Sequence, residues 1–471
     1  MWFLYYCLLS LIYYCHCKKI RLHSRIKILY KSIIGKKLLS VKPNNKEMIM
    51  KTIVIINLIL SIVFTICYFY QAVYIFVGLF KKTYDVKGKK NHRYAVIVSA
   101  RNESKVIGNL IKSIRNQTYP AELIDIFVVA DNCTDNTAEI ARQAGAVVYE
   151  RFNDELVGKG YALDWIFKKI KEKHSDKKYE AFIIFDADNV LDPHFIEEMN
   201  KTFDSGYRVI TSYRNSKNFG ENWITAGYSL WFLREARYLN NSRMQLGTSC
   251  AISGTGFLVS AEIIEETGGW IHHLLTEDIE FTTDNIIKGE IIGYCANAVV
   301  YDEQPSKFSQ SYYQRMRWAK GFYQVFRKYG KGLVKGVFRG SFPCYDMLMT
   351  IMPAMLITFL SIAINIVAIP VGIINNSPYI RLLLMTLGQT LLTFYMMFFA
   401  IGAITAITEW KQIYCSAWKK IKYLFTFPIF MLTYVPISIS ALFHKVEWRQ
   451  IHHSVSKTLE EIHSEVPIDK Q

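Results

Sequence analysis

Two hydrophobic patterns divide this chain. In the first, apolar residues run on without a charge, from Thr52 to Phe80, Met347 to Tyr379, Leu382 to Thr408 and Tyr423 to Phe443. Each reaches the roughly 20 residues that a helix needs to cross a bilayer. Pro428 and Pro436 interrupt the fourth, which therefore reads as re-entrant or interfacial. The turn-forming Asn375-Asn376-Ser377-Pro378 and Arg381 part the second from the third. In the second pattern, between residues 94 and 300, short apolar runs alternate with segments of helical period. Tyr94 to Ser99, Ile124 to Ala130 and Ala181 to Phe185 read as buried strands. Glu103 to Arg115, Thr134 to Gln143 and Lys159 to Lys171 read as helices. This alternation predicts βαβ units, hence an α/β domain with a mainly parallel sheet and helices on both faces.

In such sheets ligands bind beyond the carboxyl ends of the strands. There the first strand runs into Ser99-Ala100-Arg101-Asn102-Glu103, the second into Asp131-Asn132-Cys133-Thr134-Asp135 and the third into Asp186-Ala187-Asp188. Asp131 and Asp135 would also serve as caps of the next helix. No Gly-x-Gly-x-x-Gly follows the first strand and no P-loop is present, which disfavours dinucleotide and P-loop folds. Two carboxylates on alternate residues offer hard oxygen ligands to Mg²⁺ or Mn²⁺, which are commonly completed by substrate phosphates. Alone, such a pair is a weak signal. Downstream, Thr276-Glu277-Asp278 follows the glycine-bearing Ser253-Gly254-Thr255-Gly256. Gln314-Arg315-Met316-Arg317-Trp318 falls on a helix, where Gln314 and Trp318 share a face. Its arginines suit a diphosphate or, equally, lipid headgroups. Lys159, between Gly158 and Gly160, suits a phosphate contact or a plain helix start.

Composition locates the membrane more than the chemistry. Among 471 residues, 51% are hydrophobic and 20% charged, which excludes a disordered chain. The net charge of +16 does not itself choose between nucleic acid, an anionic membrane and a phosphate-bearing substrate. Residues 1–49 hold +9 of it, leaving +7 for the rest. Lys81, Lys82, Lys87, Lys89, Lys90 and Arg93 follow the first apolar stretch against Asp85 alone, which places residues 81–342 in the cytoplasm. Lys445, Arg449 and Lys457 would fall outside if the fourth segment crossed fully, a second reason to read it as re-entrant. The ten Lys and Arg of residues 18–46 sit on the wrong side of this topology. Met1 to Cys15 lacks the basic start and cleavage site of a signal peptide, so translation is expected to begin at Met48 or Met50. Three of nine cysteines lie in that extension and six are scattered, as in a reducing compartment. Cys15-His16-Cys17 lacks the second pair of a zinc site.

Taken in order, Asp131, Asp186-Ala187-Asp188, Thr276-Glu277-Asp278 and Gln314-Arg315-Met316-Arg317-Trp318 resemble the membrane-bound family 2 glycosyltransferases, the group of cellulose, hyaluronan, chitin and poly-N-acetylglucosamine synthases. The resemblance implies a GT-A-type domain with N- and C-terminal transmembrane helices. Its expected bounds are a doubtful extension at 1–49, a transmembrane helix at 50–81 and a cytoplasmic GT-A domain at 82–318. Amphipathic interface helices at 319–342, transmembrane segments at 343–443 and a tail at 444–471 follow. It assigns Glu103, Asp131, Lys159, Asp186 and Arg317 to the nucleotide sugar, and Asp186 and Asp188 to Mg²⁺ or Mn²⁺. Glu277, Gln314 and Trp318 fall to the acceptor and Asp278 to the general base. The expected enzyme is an inverting hexosyltransferase of a bacterial plasma (inner) membrane. It would move glucose or N-acetylglucosamine from a UDP-sugar to a growing β-linked polysaccharide, alone, as a homodimer or with a partner membrane protein. Transfer to a lipid or lipid-linked acceptor is the alternative. A non-enzymatic scaffold or transporter is disfavoured because the spans hold few ionisable groups. Nucleic acid as a partner rests on net charge alone and is not expected.

Overall fold

The computed structural model describes residues 45–80, 86–374, 379–448, 451, 453 and 455–465. Lys81, Lys82, Asp85, the turn at 375–378, Arg449 and residues 1–44 with Cys7 and Cys15-His16-Cys17 lie outside the described residues. The uncharged stretch at 52–80 is carried by α1 (Asn45–Tyr68) and α2 (Tyr70–Phe80). Then come β1 (Tyr94–Ala100), α3 (Ile107–Arg115), β2 (Ile124–Asp131), α4 (Thr137–Gln143), β3 (Val147–Arg151), α5 (Lys159–Lys173) and β4 (Ala181–Asp186). The domain continues through β5 (Val190–Leu191), α6 (Phe195–Asp204), β6 (Val209–Ser216) and α7 (Trp223–Arg234), which runs on into a π-helical turn at Glu235–Asn240. Next are α8 (Asn241–Gln245), β7 (Phe257–Ser260), α9 (Ala261–Glu266), α10 (Glu277–Lys288), β8 (Gly293–Asp302) and the long α11 (Phe308–Phe338). The chain closes with α12 (Phe342–Ile351), α13 (Pro353–Ile374), α14 (Tyr379–Thr408), α15 (Ala417–Leu432), α16 (Tyr434–Phe443) and α17 (Leu459–Ser464).

The strands form an eight-stranded sheet in the order β3-β2-β1-β4-β7-β6-β8-β5. From β3 to β4 it is parallel, with Ser99 level with Val129 on one side and Asp186 on the other. Beyond β4 the sheet becomes mixed, because β7 runs antiparallel to both β4 and β6. The reversal serves the site. Phe257, at the start of β7, pairs with Ile184 near the end of β4, so the Ser253–Gly256 loop arrives where β4 exits. β6 and β8 are parallel to each other and bring Arg214 and Asp302 to that same end. The core seals this frame. Val96, Val98, Ile183 and Phe185 are buried with Ile107, Leu110, Ile111 and Ile114 of α3 and with Phe195, Ile196 and Met199 of α6. At ~25 cal/mol per Å² of apolar area, such side chains contribute about 1.5–3 kcal/mol each.

Two helices start later than their periodicity suggests. α3 begins at Ile107 rather than Glu103; the Glu103 carbonyl accepts the Val106 and Ile107 N–H groups in the turn that leads in, while its carboxylate turns to His453. α4 begins at Thr137 because Asp135 spends its carboxylate on the Thr137 and Ser104 backbone N–H groups at 3.1 and 3.2 Å. Short polar side chains that bond nearby backbone compete with helix in this way.

Among the described residues, three helical stretches are long and apolar enough to cross a membrane, Ile55–Phe80, Leu387–Thr408 and Ala417–Phe443. The expected run from Met347 to Tyr379 is divided instead. α12 ends at Ile351, because Pro353 lacks an N–H and restricts the residue before it. The last stretch starts earlier than Tyr423 and breaks after Leu432, where Pro436 meets the carbonyl four residues back. Residues 319–338 extend α11 rather than forming a separate pair.

Two compact units result, Met1–Val73 with Pro353–Phe398, and Tyr74–Met352 with Phe399–Gln471. In the first, α1 meets α13 through Ile53, Ala368 and Ile369, and Asn57 and Asn365 exchange amide hydrogen bonds at 3.3 Å. In the second, Arg243 and Asp346 form a buried bidentate pair at 2.7 and 2.9 Å, and the Tyr74 hydroxyl donates to Asp346 at 2.7 Å. Asp346→Ala would leave the Arg243 guanidinium uncompensated. A loss of about 3–5 kcal/mol is expected, read as a lowered unfolding temperature of the detergent-purified protein; an unchanged temperature would show that the pair carries no stability.

Candidate active site

At the end of β4, Asp186 is about a third exposed, and its backbone N–H donates to Thr255 Oγ1 at 2.9 Å. Lys159, the first residue of α5, donates to the Asp186 carboxylate and, at 2.7 Å, to the Gly254 carbonyl. Burial opposes its charge, but Asp186, Glu277 and Asp278 more than compensate and raise the ammonium above its ordinary value. Lys159 thus faces the acidic centre rather than serving only as a helix start. Asp188 is buried. Its Oδ2 accepts the Glu303 N–H at 3.1 Å, and its own carbonyl accepts from the buried ammonium of Lys217. Burial pushes Lys217 down despite the surrounding carboxylates.

Glu103 is buried as well. Its Oε1 lies 2.9 Å from His453 Nδ1, and Oε2 has no partner among the described residues. His453 belongs to the tail, and its Nε2 stands 3.8 Å from Asp188 Oδ2. The tail returns at two more points. The Arg101 guanidinium lies 4.9 Å from the Trp448 ring centroid, and the Val455 N–H donates to Glu303 at 3.0 Å. Lys445, Val446, Glu447, Ile451 and His453 of the tail therefore lie at the same end of the sheet as the acidic pair. They help to line a cleft of about 760 Å³ with Asn102, Asp135, Gln314 and Arg317.

Asp131 ends β2 in a buried ion pair with Arg151. Burial raises its carboxyl, opposed by Arg151 and Arg101. It is not a helix cap, since α4 starts without a side-chain cap. Glu277 and Asp278 open α10, where the helix N-terminus favours negative charge. Burial and the Asp278 charge push Glu277 up to about 7, against Lys159 and Arg317. Asp278 is raised by burial, opposed by the Ile279 N–H and by Lys159, Arg317 and Arg214.

The two arginines of the Gln314–Trp318 motif part company. Arg317 donates to the Leu275 carbonyl at 2.6 Å, two residues before Glu277. Arg315 turns away from the cleft, 4.4 Å over the Phe430 ring, and bonds the Phe430 carbonyl at 3.1 Å and Thr433 at 2.9 Å. It serves the break between α15 and α16, neither a diphosphate nor a headgroup. The Gln314 side-chain oxygen is buried without a partner among the described residues. Trp318 stands edge-on to Tyr228 and Phe232 at 5.7 and 6.2 Å, leaving a partly exposed aromatic surface. The structure thus brings Lys159, Asp186, Glu277, Asp278 and Arg317 together, sets Asp188 and Glu103 beside them across His453, and places Asp131 in a separate pair. Arg151, Lys217, Arg214, Asp302 and His453 escaped the sequence reading. No local motif marks them; only strand register and the returning tail bring them here.

No group of three or more His, Cys, Asp or Glu side chains that would hold a metal occurs among the described residues. Two carboxylates at one strand end, with the unpartnered Glu103 oxygen nearby, nonetheless fit a hard divalent ion completed by phosphate oxygens and water.

Residues 92–321 match the family model described as "Glycosyltransferase like family 2". The chain is 26% identical over 270 residues to a beta-monoglucosyldiacylglycerol synthase of Nostoc sp., covering 54% of each chain. It is 24% identical over 233 residues to a poly-beta-1,6-N-acetyl-D-glucosamine synthase of Staphylococcus epidermidis, covering 49% of this chain and 54% of that one. The chain thus spans about half the length of the curated relatives it matches. A mannosyltransferase from Pyrobaculum calidifontis, solved in complex with GDP-Man and Mn²⁺, shares the fold with a TM-score of 0.53 at 16% identity, over 84% of this chain and 99% of that one.

α11 approaches the Thr276–Asp278 segment closely at Gly321, where an added Cβ would collide with Thr276 Oγ1. Gly321→Ala is therefore expected to destabilise the protein by about 1–3 kcal/mol, read by thermal unfolding. Thr276→Ala in the same chain should restore most of the loss; no rescue would mean that this contact is not what requires glycine.

Proposed function

We propose that the protein, whose residues 92–321 match a family 2 glycosyltransferase model, is a metal-dependent, inverting hexosyltransferase acting at the cytoplasmic face of a bacterial plasma membrane. The donor is UDP-glucose or UDP-N-acetylglucosamine and the product a β-linked polysaccharide. The carrying observation is Asp278, a half-buried carboxylate at a helix N-terminus, faced by Lys159, Arg317 and Arg214 and standing near the acidic end of β4.

In this reading the acceptor hydroxyl lies against Asp278, and Trp318 offers an apolar ring face to its sugar. The hydroxyl oxygen attacks the anomeric carbon, the bond from that carbon to the diphosphate breaks with its electron pair going to phosphate oxygen, and the proton passes to Asp278. One displacement inverts the anomeric centre. Arg317 and Lys159 supply fixed positive charge where the leaving group gains negative charge. Glu103, Asp131 and Asp186 border the donor, and Glu277 and Gln314 the acceptor. Asp186 and Asp188 would hold Mg²⁺ or Mn²⁺, which when bound neutralises charge on the departing diphosphate. Residues 319–338 of α11 interleave Arg327, Lys331 and Lys335 with Phe326, Val334 and Phe338, a pattern that suits an anionic membrane surface. A lipid acceptor is the second reading, supported by the glucosyldiacylglycerol synthase among the relatives.

Membranes supplied with radiolabelled UDP-glucose or UDP-N-acetylglucosamine and Mn²⁺ test this, and product size separates polymer from glycolipid. Asp278→Asn should lower transfer about 10²–10⁴-fold while nucleotide binding by calorimetry persists; full turnover would refute the base. Asp188→Ala should abolish the gain in nucleotide affinity that Mn²⁺ confers, and an unchanged gain would remove its metal role. Because a protonated Asp278 cannot act as base and burial raises its carboxyl, kcat/KM should fall on the acid side, at a higher pH than an unperturbed aspartate would give. A rate flat down to pH 5 would contradict this.

A further inference from the structure

Arg214 is a buried cation to which none of the sequence motifs gives a task. It projects from β6 with a side chain 14% exposed. Its Nε donates to Asp302 Oδ2 at 2.9 Å, a second guanidinium nitrogen reaches the same carboxylate, and Nη1 donates to the Ser253 carbonyl at 3.0 Å. The flat face of the guanidinium lies 3.9 Å from the Phe232 ring centroid. The residue after Ser253 shows what this serves. A Cβ on Gly254 would stand 3.7 Å from Arg214 Nη1 and 3.9 Å from Asp278 Oδ2, so the arginine and the carboxylate flank one point of the loop. Gly254 has φ +77°, a conformation that glycine adopts without strain, and its carbonyl is held from the other side by Lys159. Two buried cations thus grip successive carbonyls of one glycine loop, and both face Asp278.

We propose that Arg214 is a positioning residue for the base: it fixes the Ser253–Gly256 loop against Asp278 and sustains the ionised carboxylate there. This rests on the glycosyltransferase reading. A buried Arg–Asp pair is weak evidence for a stabilising role, since apolar side chains often replace one without loss. Here the guanidinium sits where its charge bears on a group that must be ionised before the acceptor arrives. Asp278 is faced by Lys159 from α5, Arg317 from α11, Arg214 from β6 and Glu277 from its own helix. Around Arg214 itself stand Asp302 on β8, Asp186 on β4 and Glu235 in the π-helical turn. Burial raises the carboxyl of Asp278, and the three cations oppose that rise, favouring the ionised form that a general base requires.

The test is the pH profile of kcat/KM for sugar transfer, beside UDP affinity by calorimetry. Arg214→Gln keeps a donor for the Ser253 carbonyl and removes the charge. Its acid limb should move up by about one pH unit, with UDP affinity held within about threefold. Arg214→Lys should leave the limb in place while lowering kcat. An unmoved limb in a folded Arg214→Gln variant overturns the proposal. If that variant fails to fold because Asp302 is stranded, Arg214→Gln/Asp302→Asn removes both charges, and the same displacement is expected; its absence also overturns the proposal. Asp278→Asn separates the two levels of inference. If it is inactive while the Arg214→Gln limb stays put, only the role of Arg214 falls; if it transfers sugar at the normal rate, the reading of Asp278 as base falls and takes this inference with it.

Discussion

Compensation of carboxylates taken out of water is the constraint on which the rest of the site depends. Asp186, Asp188, Glu277, Asp278 and Asp302 gather at one end of the sheet, where an uncompensated buried charge costs several kcal/mol. Each has a cation in reach: Lys159 for Asp186, Lys217 and His453 for Asp188, Arg214 for Asp302, Lys159 and Arg317 for Glu277, and Lys159, Arg317 and Arg214 around Asp278. These cations come from α5, β6, the loop after it, α11 and the tail. A shift of any of these elements would leave charge unpaired, so the polar centre fixes how the surrounding elements sit as firmly as the apolar core does.

Sheet topology makes that gathering geometrically feasible. Had β7 run parallel to β4, its preceding loop would lie at the opposite end of the sheet, far from Asp186. Its reversal carries Ser253–Gly256 to the carboxyl end of β4 and lets β6 and β8 deliver Arg214 and Asp302 beside it. α11 completes the arrangement by splitting its own motif. Arg317 is spent on the loop before α10, and Arg315 on the helix break at Thr433. One helix thus joins the Thr276–Asp278 segment to the broken apolar stretch of α15 and α16, and the close approach at Gly321 sets the spacing.

Much of this was legible in advance. Apolar runs with β-branched residues marked β1, β2 and β4, because strands buried on both faces need no alternation. Period 3.6 marked α3, α4 and α5. Asp186-Ala187-Asp188, Thr276-Glu277-Asp278 and the Gln314–Trp318 motif stood out because their chemistry is compressed into a few adjacent residues. Boundaries were less legible. The starts of α3 and α4 moved because Glu103 and Asp135 direct their polar groups to tertiary or turn partners, and Pro353 and Pro436 cut apolar runs that composition alone reads as continuous.

The sequence by itself determined the parallel half of the sheet, the apolar helices and the acidic motifs that gather at the strand ends, since each is written in local periodicity or a short motif. Only the tertiary structure decided that Asp131 is consumed by Arg151, that the two motif arginines face different ways, and that Arg214, Lys217 and His453 belong to the centre. The physical reason is range. A strand or a helix is selected by residues within a turn or two, whereas a buried charge is neutralised by whatever cation the fold brings within about 4 Å, and here those partners lie from tens to hundreds of residues away.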